Sequence, residues 1–295
     1  MNSLKFSTAL LIITCGVVSA VSAAEAIRIV HFKTVLESDF AKSVSINQQD
    51  FTWPIANCPG IISSETKNSG RKNLELVLLC NAIKDSGYSD SIKFIVSGNG
   101  LRRKKDVGTG KGDVLGHTVF ADSILKDDRF NPSDFKLSDA VLMQGQFNVG
   151  VFTSSANVAG VHDAMLAGKL NSLVGVTEKS WKVDLKTMGL LGLKKVSTLP
   201  DHQRIGGFIV KKRADFTFAA LGVESVTWGK TLYRVPDVKV ALAGERVFIV
   251  NHEKPELHSI LQKYINKLRT DEDQLTKAYI HAGFIDEGYK DWHQL

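Results

Sequence analysis

Past its first two dozen residues the chain has no apolar run long enough to cross a bilayer, since a spanning helix needs ~20 predominantly apolar residues. Cysteine is scarce, with 3 in 295 residues, and none has the spacing of a zinc ligand set or of a Cys-x-x-Cys redox pair. Catalytic signatures are missing as well. There is no Gly-x-Ser-x-Gly elbow and no His-Glu-x-x-His. Gly108-Thr-Gly-Lys111 has the start of a phosphate loop, but Gly112 stands where that loop needs Ser or Thr. Internal repeats, which a structural or adhesive array would carry, are also absent. An enzyme therefore has no motif to rest on, and neither a metal nor a cofactor is expected.

What is present begins with Met1 to Ala23. Lys5 gives a positive start, Ala9 to Val18 is apolar, and Val21-Ser22-Ala23 offers small residues to a signal peptidase. The pattern predicts cleavage near Ala23 and an exported protein. A lipid anchor on Cys15 is disfavoured because Thr14, not a small residue, precedes it. Loss of the leader removes Cys15 and leaves Cys58 and Cys80, an even pair in an oxidising compartment, for which a disulfide is the expectation and two buried thiols the alternative.

The composition, 43% hydrophobic and 23% charged, is that of an ordinary globular protein. The formal charge of +6 falls to +5 without Lys5. Arg102-Arg103-Lys104-Lys105 is the densest basic cluster, yet no aromatics interleave it, so it reads as a solvated helix start and not as a nucleic-acid surface.

Ile27 to His31 reads as a first strand. A polar, turn-rich excursion follows, holding Cys58, and Leu74 to Ser86 reads as a helix buried over most of its surface and stopped by Gly87. A strand at Ser91 to Ser97, a helix at Leu101 to Val107 and a brief strand after Asp113 continue the alternation of an α/β sheet with parallel strands. Ala140 to Phe152 reads as a longer strand, after which the pattern starts again. Helices are expected at Val161 to Lys169, Trp181 to Gly189 and His202 to Lys212, with strands at Leu173 to Val176, Lys194 to Thr198 and Asp215 to Ala219. The chain then returns through Arg246 to Val250. Leu257, Ile260, Leu261, Tyr264, Ile265 and Leu268 share one helical face behind Pro255, and Asp271-Glu-Asp273 opens a last helix where its dipole favours negative charge.

The order of these pieces resembles the extracytoplasmic solute-binding proteins of the type 2 periplasmic fold, particularly the amino-acid-binding branch of ABC transporter substrate-binding proteins (family 3). The resemblance rests on Gly110-Lys-Gly-Asp-Val114, Ser138-Asp-Ala-Val-Leu142, Leu173-Val-Gly-Val-Thr177, Lys212-Arg-Ala-Asp215 and Glu245-Arg-Val-Phe-Ile-Val250, in that order. It implies an α/β protein of two lobes, each a mixed sheet flanked by helices, joined by two crossover strands. Residues 24–151 and 244–295 would form a discontinuous lobe 1 and residues 152–243 lobe 2. It also implies a small polar solute bound between the lobes by hinge closure, periplasmic and as a monomer, for delivery to a membrane permease. The alternative output is presentation of the closed form to a membrane sensor protein.

Ligands of open α/β sheets lie beyond the carboxyl ends of strands, which makes His31, Phe32, His117 and Thr118 candidates in lobe 1. For His31 and Phe32 the other reading is a core or edge position, and Trp53, in the excursion, either stacks on a ligand or covers the core. In lobe 2, Thr177, Glu178 and Ser180 occupy a turn that opens a helix, where free N–H groups suit an anion, although the charge of Glu178 competes. Asp215 and Phe216 match the place where the resembled binders put an acid for a solute amine and a nearby lining residue; the other reading of Asp215 is a helix terminator. One departure stands out. Those binders carry Thr-x-x-Arg after the counterpart of Asp113, its arginine clamping the solute carboxylate, whereas this chain has Thr118-Val-Phe-Ala121. Arg102 or Arg103 would substitute only if folding brought one to the cleft, and Arg129 lies in a polar loop.

Overall fold

The computed structural model describes residues 25–31 and 50–295. The expected leader, Met1 to Ala23, and the candidate Phe32 lie outside the described residues. Among those described, no helix is long and apolar enough to cross a membrane.

The first lobe is built around β1, Ile27–His31. Ile27 and Ile29 point into one core while Val30 points into another, which is why a strand covered on both faces reads as an unbroken apolar run. Next come β2 (Asp50–Pro54), α1 (Arg71–Ser86) and β3 (Ser91–Val96). α1 ends at Gly87, whose φ of 65° is the left-handed cap that glycine supplies without a Cβ clash. A Cys58–Cys80 disulfide with Cα atoms 5.8 Å apart ties the excursion to this helix, as the even pair predicted. α2 (Gly100–Gly108) opens on the Asn99 side chain, which accepts the Arg102 N–H. Then follow β4 (Val114–Leu115), β5 (Val119–Phe120), the single turn α3 (Asp122–Leu125) and β6 (Phe135–Leu137).

The second lobe runs through β7 (Asn148–Thr153), α4 (Val158–Leu166), β8 (Val174–Glu178), α5 (Lys182–Leu190) and β9 (Lys195–Leu199). It continues with α6 (Ile205–Val210), β10 (Thr217–Ala220), β11 (Ser225–Trp228) and β12 (Lys230–Ala241). The long strand expected from Ala140 is in fact confined to Asn148–Thr153, because residues ahead of it turn through Gly145 at φ 93°. The helix expected from His202 begins as a 3-10 turn and is shorter than its apolar pattern suggested.

The chain returns through β13 (Arg246–Val247) and β14 (Ile249–Asn251), then α7 (Pro255–Thr270), α8 (Gln274–His281) and a two-residue β15 (His293–Gln294). α7 buries Leu257, Leu261, Ile265 and Leu268. At about 1.5–3 kcal/mol for each fully buried side chain, that face alone accounts for its docking on α1. Asp273 caps α8, its carboxylate accepting the Thr276 N–H.

In lobe 1 the strand order is β2-β3-β1-β4-β14-β6, with β3, β1 and β4 parallel and the returning β14 antiparallel between β4 and β6. In lobe 2 it is β10-β7-β12-β11, and a parallel bridge from Gly175 to Phe216 adds the β8-β9 pair beside β10. Each sheet has a hydrophobic core on both faces. The lobes communicate through an antiparallel ribbon: Asn148 pairs with Ala241, Leu242 N–H donates to Phe147 O (2.9 Å), and Val141 N–H donates to Arg246 O (2.7 Å).

A further connection does not figure in the sequence reading. The residues after α8 leave lobe 1 and dock on lobe 2, where β15 pairs with Val238 and Lys239 of β12 and Leu295 packs against the core. Lys239 Nζ donates to the carbonyls of Tyr289 (2.7 Å) and Lys290 (3.0 Å), and the Arg234 guanidinium stacks on Tyr289 and Trp292.

Candidate functional site

A cavity of about 880 Å³ lies between the lobes. Lobe 1 contributes Lys104, Phe120 and Ser123, and the connecting ribbon contributes Phe147 and Arg246. Lobe 2 contributes Ser180, Trp181 and Asp184 from the start of α5, Ala219 to Val223 from the end of β10, and Trp228 from β11. Phe284 and Tyr289 of the C-terminal segment complete it.

Behind this cavity a buried polar network joins three distant parts of the chain. Glu75, fully buried on α1, receives Arg71 Nη1 at 2.6 and 2.8 Å, the Thr118 N–H at 2.9 Å, the Thr118 hydroxyl at 2.5 Å and the Tyr279 hydroxyl at 3.2 Å. Arg246 does not reach that carboxylate. Its Nε donates to Thr118 Oγ1 at 2.9 Å and one Nη donates to Thr118 O. Aromatic rings interleave with the two guanidiniums: Arg246 lies 4.5 Å from the Phe120 centroid and 5.2 Å from Phe147, and Arg71 lies 5.7 Å from Phe147 and 5.9 Å from Phe284. Burial, with Arg71 as neighbour, lowers the Arg246 pKa to about 9, which Glu75 opposes. Burial, reinforced by the Glu75 charge, holds Tyr279 well above the usual phenol range, so its hydroxyl is a donor at all ordinary pH.

Of the residues singled out from the sequence, Ser180 lines the cavity. His31 and His117 are buried at neighbouring strand ends. Burial, with Arg103 and Lys72 nearby, pushes His31 down to about 3, and burial with Arg71 nearby pushes His117 well below the usual imidazole range, so both rings are neutral. Thr118 holds the Glu75–Arg246 network together. Trp53 packs beside Phe51 at the edge of the lobe 1 core, their rings 5.9 Å apart. Thr177 is buried within β8. Phe216 is a fully buried core residue of lobe 2. The Asp215 carboxylate accepts the Val174 N–H at 2.7 Å, fastening the start of β8 to the start of β10. Arg102 pairs with Asp106 at 2.9 Å, Arg103 donates to Gly98 O, and Arg129 pairs with Asp127 at 2.6 Å.

The residues that the sequence reading did not treat as a site are Arg71, Glu75 and Arg246. The available signal was local: Arg246 heads a strand whose next four residues, Val247 to Val250, are wholly apolar, and a charge at a buried strand end needs a partner or a task.

Glu178, Asp201 and His202 gather at the end of β8, with ligand atoms within 4.8 Å of one another. Glu178 already accepts from the His202 ring (3.0 Å), from the His202 N–H (3.2 Å) and from the Ser180 hydroxyl, and the imidazole stacks on Trp181 at 5.9 Å. These residues act as an anchor for the turn that carries Trp181. At the start of α5 the half-buried Asp184 accepts a hydrogen bond from its own N–H, and burial raises its pKa to about 7. A folded-state pKa above that of the unfolded chain means stability is greatest at low pH and declines as pH rises from about 4 towards 7. Asp184→Asn should therefore stabilise the protein at pH 8, by on the order of 2 kcal/mol after allowance for solvent screening, and leave it unchanged at pH 3, below the unfolded-state value. Urea unfolding at the two pH values measures the difference; equal effects at both would contradict it.

Two sheets with cores on both faces, a double crossover, and a return strand inserted antiparallel beside β4 define the architecture. The fold is that of the type 2 periplasmic-binding proteins. No family model matches the chain, and no curated protein matches it. Solved structures similar to this binding-protein fold include a probable amino-acid ABC transporter extracellular-binding protein from Bacillus subtilis, 12% identical over 90% of this chain and 100% of that one, with a TM-score of 0.49. Another is the VFT2 domain of Bordetella pertussis BvgS, 14% identical over 88% and 93% of the two chains, at a TM-score of 0.47. A third is an amino acid ABC transporter substrate-binding protein from Streptococcus pneumoniae bound to L-arginine, 11% identical over 88% and 95%, at 0.46.

Proposed function

We propose that the protein binds a small organic solute reversibly between its lobes, closes on it by bending at the ribbon of residues 141–149 and 240–246, and presents the closed form to a membrane partner outside the cytoplasm. Residues 24–151 and 244–295 then act as one lobe and 152–243 as the other, with the docked C-terminal segment spanning both. The observation that carries this reading is the cavity itself, whose walls belong to two separately cored lobes meeting at a hydrogen-bonded ribbon. A solute touching both walls favours the closed arrangement by its extra affinity for it, which is the whole of what hinge closure requires. The absence of a catalytic motif makes binding without turnover the simpler use of such a cavity.

The test is a thermal-shift screen of protein that has been unfolded and refolded to strip carried-over solute, followed by small-angle scattering with any hit. A ligand at a hundredfold excess over its Kd adds about 2.7 kcal/mol of stability, and closure lowers the radius of gyration. If amino acids, peptides, sugars, polyamines and organic acids all leave stability and dimensions unchanged, the reading fails.

A further inference from the structure

The charges around the cavity are unequal between its walls. On the lobe 1 side, two guanidiniums, Arg71 and Arg246, stand near a single carboxylate, and the five hydrogen bonds that Glu75 accepts come from Arg71, Thr118 and Tyr279, leaving none for Arg246. Arg246 uses Nε and one Nη on Thr118; its other Nη makes no hydrogen bond among the described residues, although the side chain lines the cavity. Lys104 lines the same wall, and its Nζ meets only neutral oxygens, Ser123 Oγ at 2.9 Å and Ser123 O at 3.2 Å. Burial lowers Lys104 to about 8, with the cations Arg129 and Arg246 adding to the fall and Asp127 opposing it.

The lobe 2 wall offers no standing negative charge of matching quality. The cavity end of β10 is Ala219-Ala220-Leu221, and Asp215 sits at the opposite end of that strand with its carboxylate on Val174. Asp184 is half protonated near neutrality. At the rim, Asp286 accepts the Gly288 N–H at 2.8 Å and Glu287 is exposed. Between these extremes the lining is largely aromatic, with Phe120, Phe147, Trp181, Phe218 and Trp228, and its remaining charged side chains, Lys182, Lys239 and Lys290, are cations as well.

Resting on the binding reading above, we infer that the solute is a monocarboxylate with an apolar body and no ammonium group. Its carboxylate lies against the free edge of Arg246 with Lys104 alongside, and its body lies between Phe120 and the indoles of Trp181 and Trp228. A guanidinium edge fits a carboxylate closely, and an ammonium on the same molecule would have to be desolvated against a wall whose acid, Asp184, is itself raised to about 7 by burial. Arg246, reaching Thr118 from β13, thus brings to this wall the cation that Thr118-Val-Phe-Ala121 lacks in sequence.

Isothermal titration of the refolded full chain with 3-phenylpropionate, hexanoate, L-phenylalanine, 3-phenylpropanamide and 2-phenylethylamine tests the inference at low salt. The expected order places at least one carboxylate first, L-phenylalanine at least tenfold weaker than 3-phenylpropionate, and the amide and amine without measurable heat. Arg246→Lys, which keeps the charge and loses the fork, and Lys104→Gln, on a side chain whose loss spares the buried network, should each weaken the carboxylate at least tenfold. L-Phenylalanine binding as tightly as 3-phenylpropionate, or carboxylate binding that survives Lys104→Gln and Arg246→Lys, overturns the inference. If both carboxylates fail while a sugar, an amine or an amino acid binds and closes the protein, the inference falls and the binding reading stands. If nothing binds, both fall.

Discussion

Replacing Glu75 with glutamine is expected to cost the folded protein about 3–5 kcal/mol, the range found when one partner of a buried ionic cluster is removed. The substitution keeps the shape, so the loss is electrostatic. Glu75 is fully buried and is the carboxylate on which Arg71, Thr118 and Tyr279 converge. Its loss leaves Arg71 and Arg246 as neighbouring cations in a low-dielectric interior, and the new amide N–H₂ would face donors that have lost their acceptor. Urea unfolding measures the effect. A loss below about 1 kcal/mol, the scale of a neutral hydrogen bond, would mean that the guanidiniums are neutralised by something other than Glu75. The double variant Glu75→Gln, Arg71→Met should recover part of the loss, since it also removes one of the stranded charges.

Gly229→Ala is the second large effect, expected at about 3 kcal/mol or more. Gly229 makes the turn between β11 and β12 with φ at 73°, a conformation that costs other residues about 1–2 kcal/mol. A Cβ there would also stand 2.2 Å from the carbonyl oxygen of Gln203, backbone that cannot rotate away. Gly207→Ala is the internal control. It lies in α6 with nothing within 4 Å of the added carbon, and should be neutral or stabilising by up to ~1 kcal/mol. Because Trp228 precedes the turn and lines the cavity, tryptophan fluorescence should shift in Gly229→Ala and not in Gly207→Ala. Equal stability of the two variants would show that the turn yields at little cost.

The parts of the fold that could be read from the sequence are those whose burial is periodic or complete. α1 and α7 repeat their apolar positions at helical spacing, and β1 and β14 are covered on both faces, so their side chains announce their surroundings. β12 could not be read, although it is the longest strand. Pro236 interrupts it, Asp237 takes a φ of 56°, and the register with β7 shifts between Arg234 and Lys239, so no single alternation runs its length. The polar network behind the cavity was hidden for a different reason. A local search for an arginine near Thr118 finds none, because the guanidiniums that meet Thr118 come from Arg246, 128 residues away through the pairing of β5 with β13, and from Arg71, 47 residues before it on α1. His31, Thr177 and Phe216 were legible as strand ends near a cleft, yet strand ends also close cores, and only packing shows which side a ring or hydroxyl faces.

The C-terminal segment has a bearing on how the molecule is made. Lobe 1 cannot close its sheet until β14 enters between β4 and β6, and lobe 2 lacks its edge partner and the packing of Leu295 until residues beyond 290 are available. Vectorial synthesis usually lets an N-terminal domain fold first, while later ones are still emerging. Here that head start is denied to both halves: residues 293–295 complete the lobe in the middle of the chain, and β14, ahead of them, completes the lobe at its beginning. Neither sheet is complete until nearly all of residues 25–295 is available, so the two lobes are expected to fold together and not in turn.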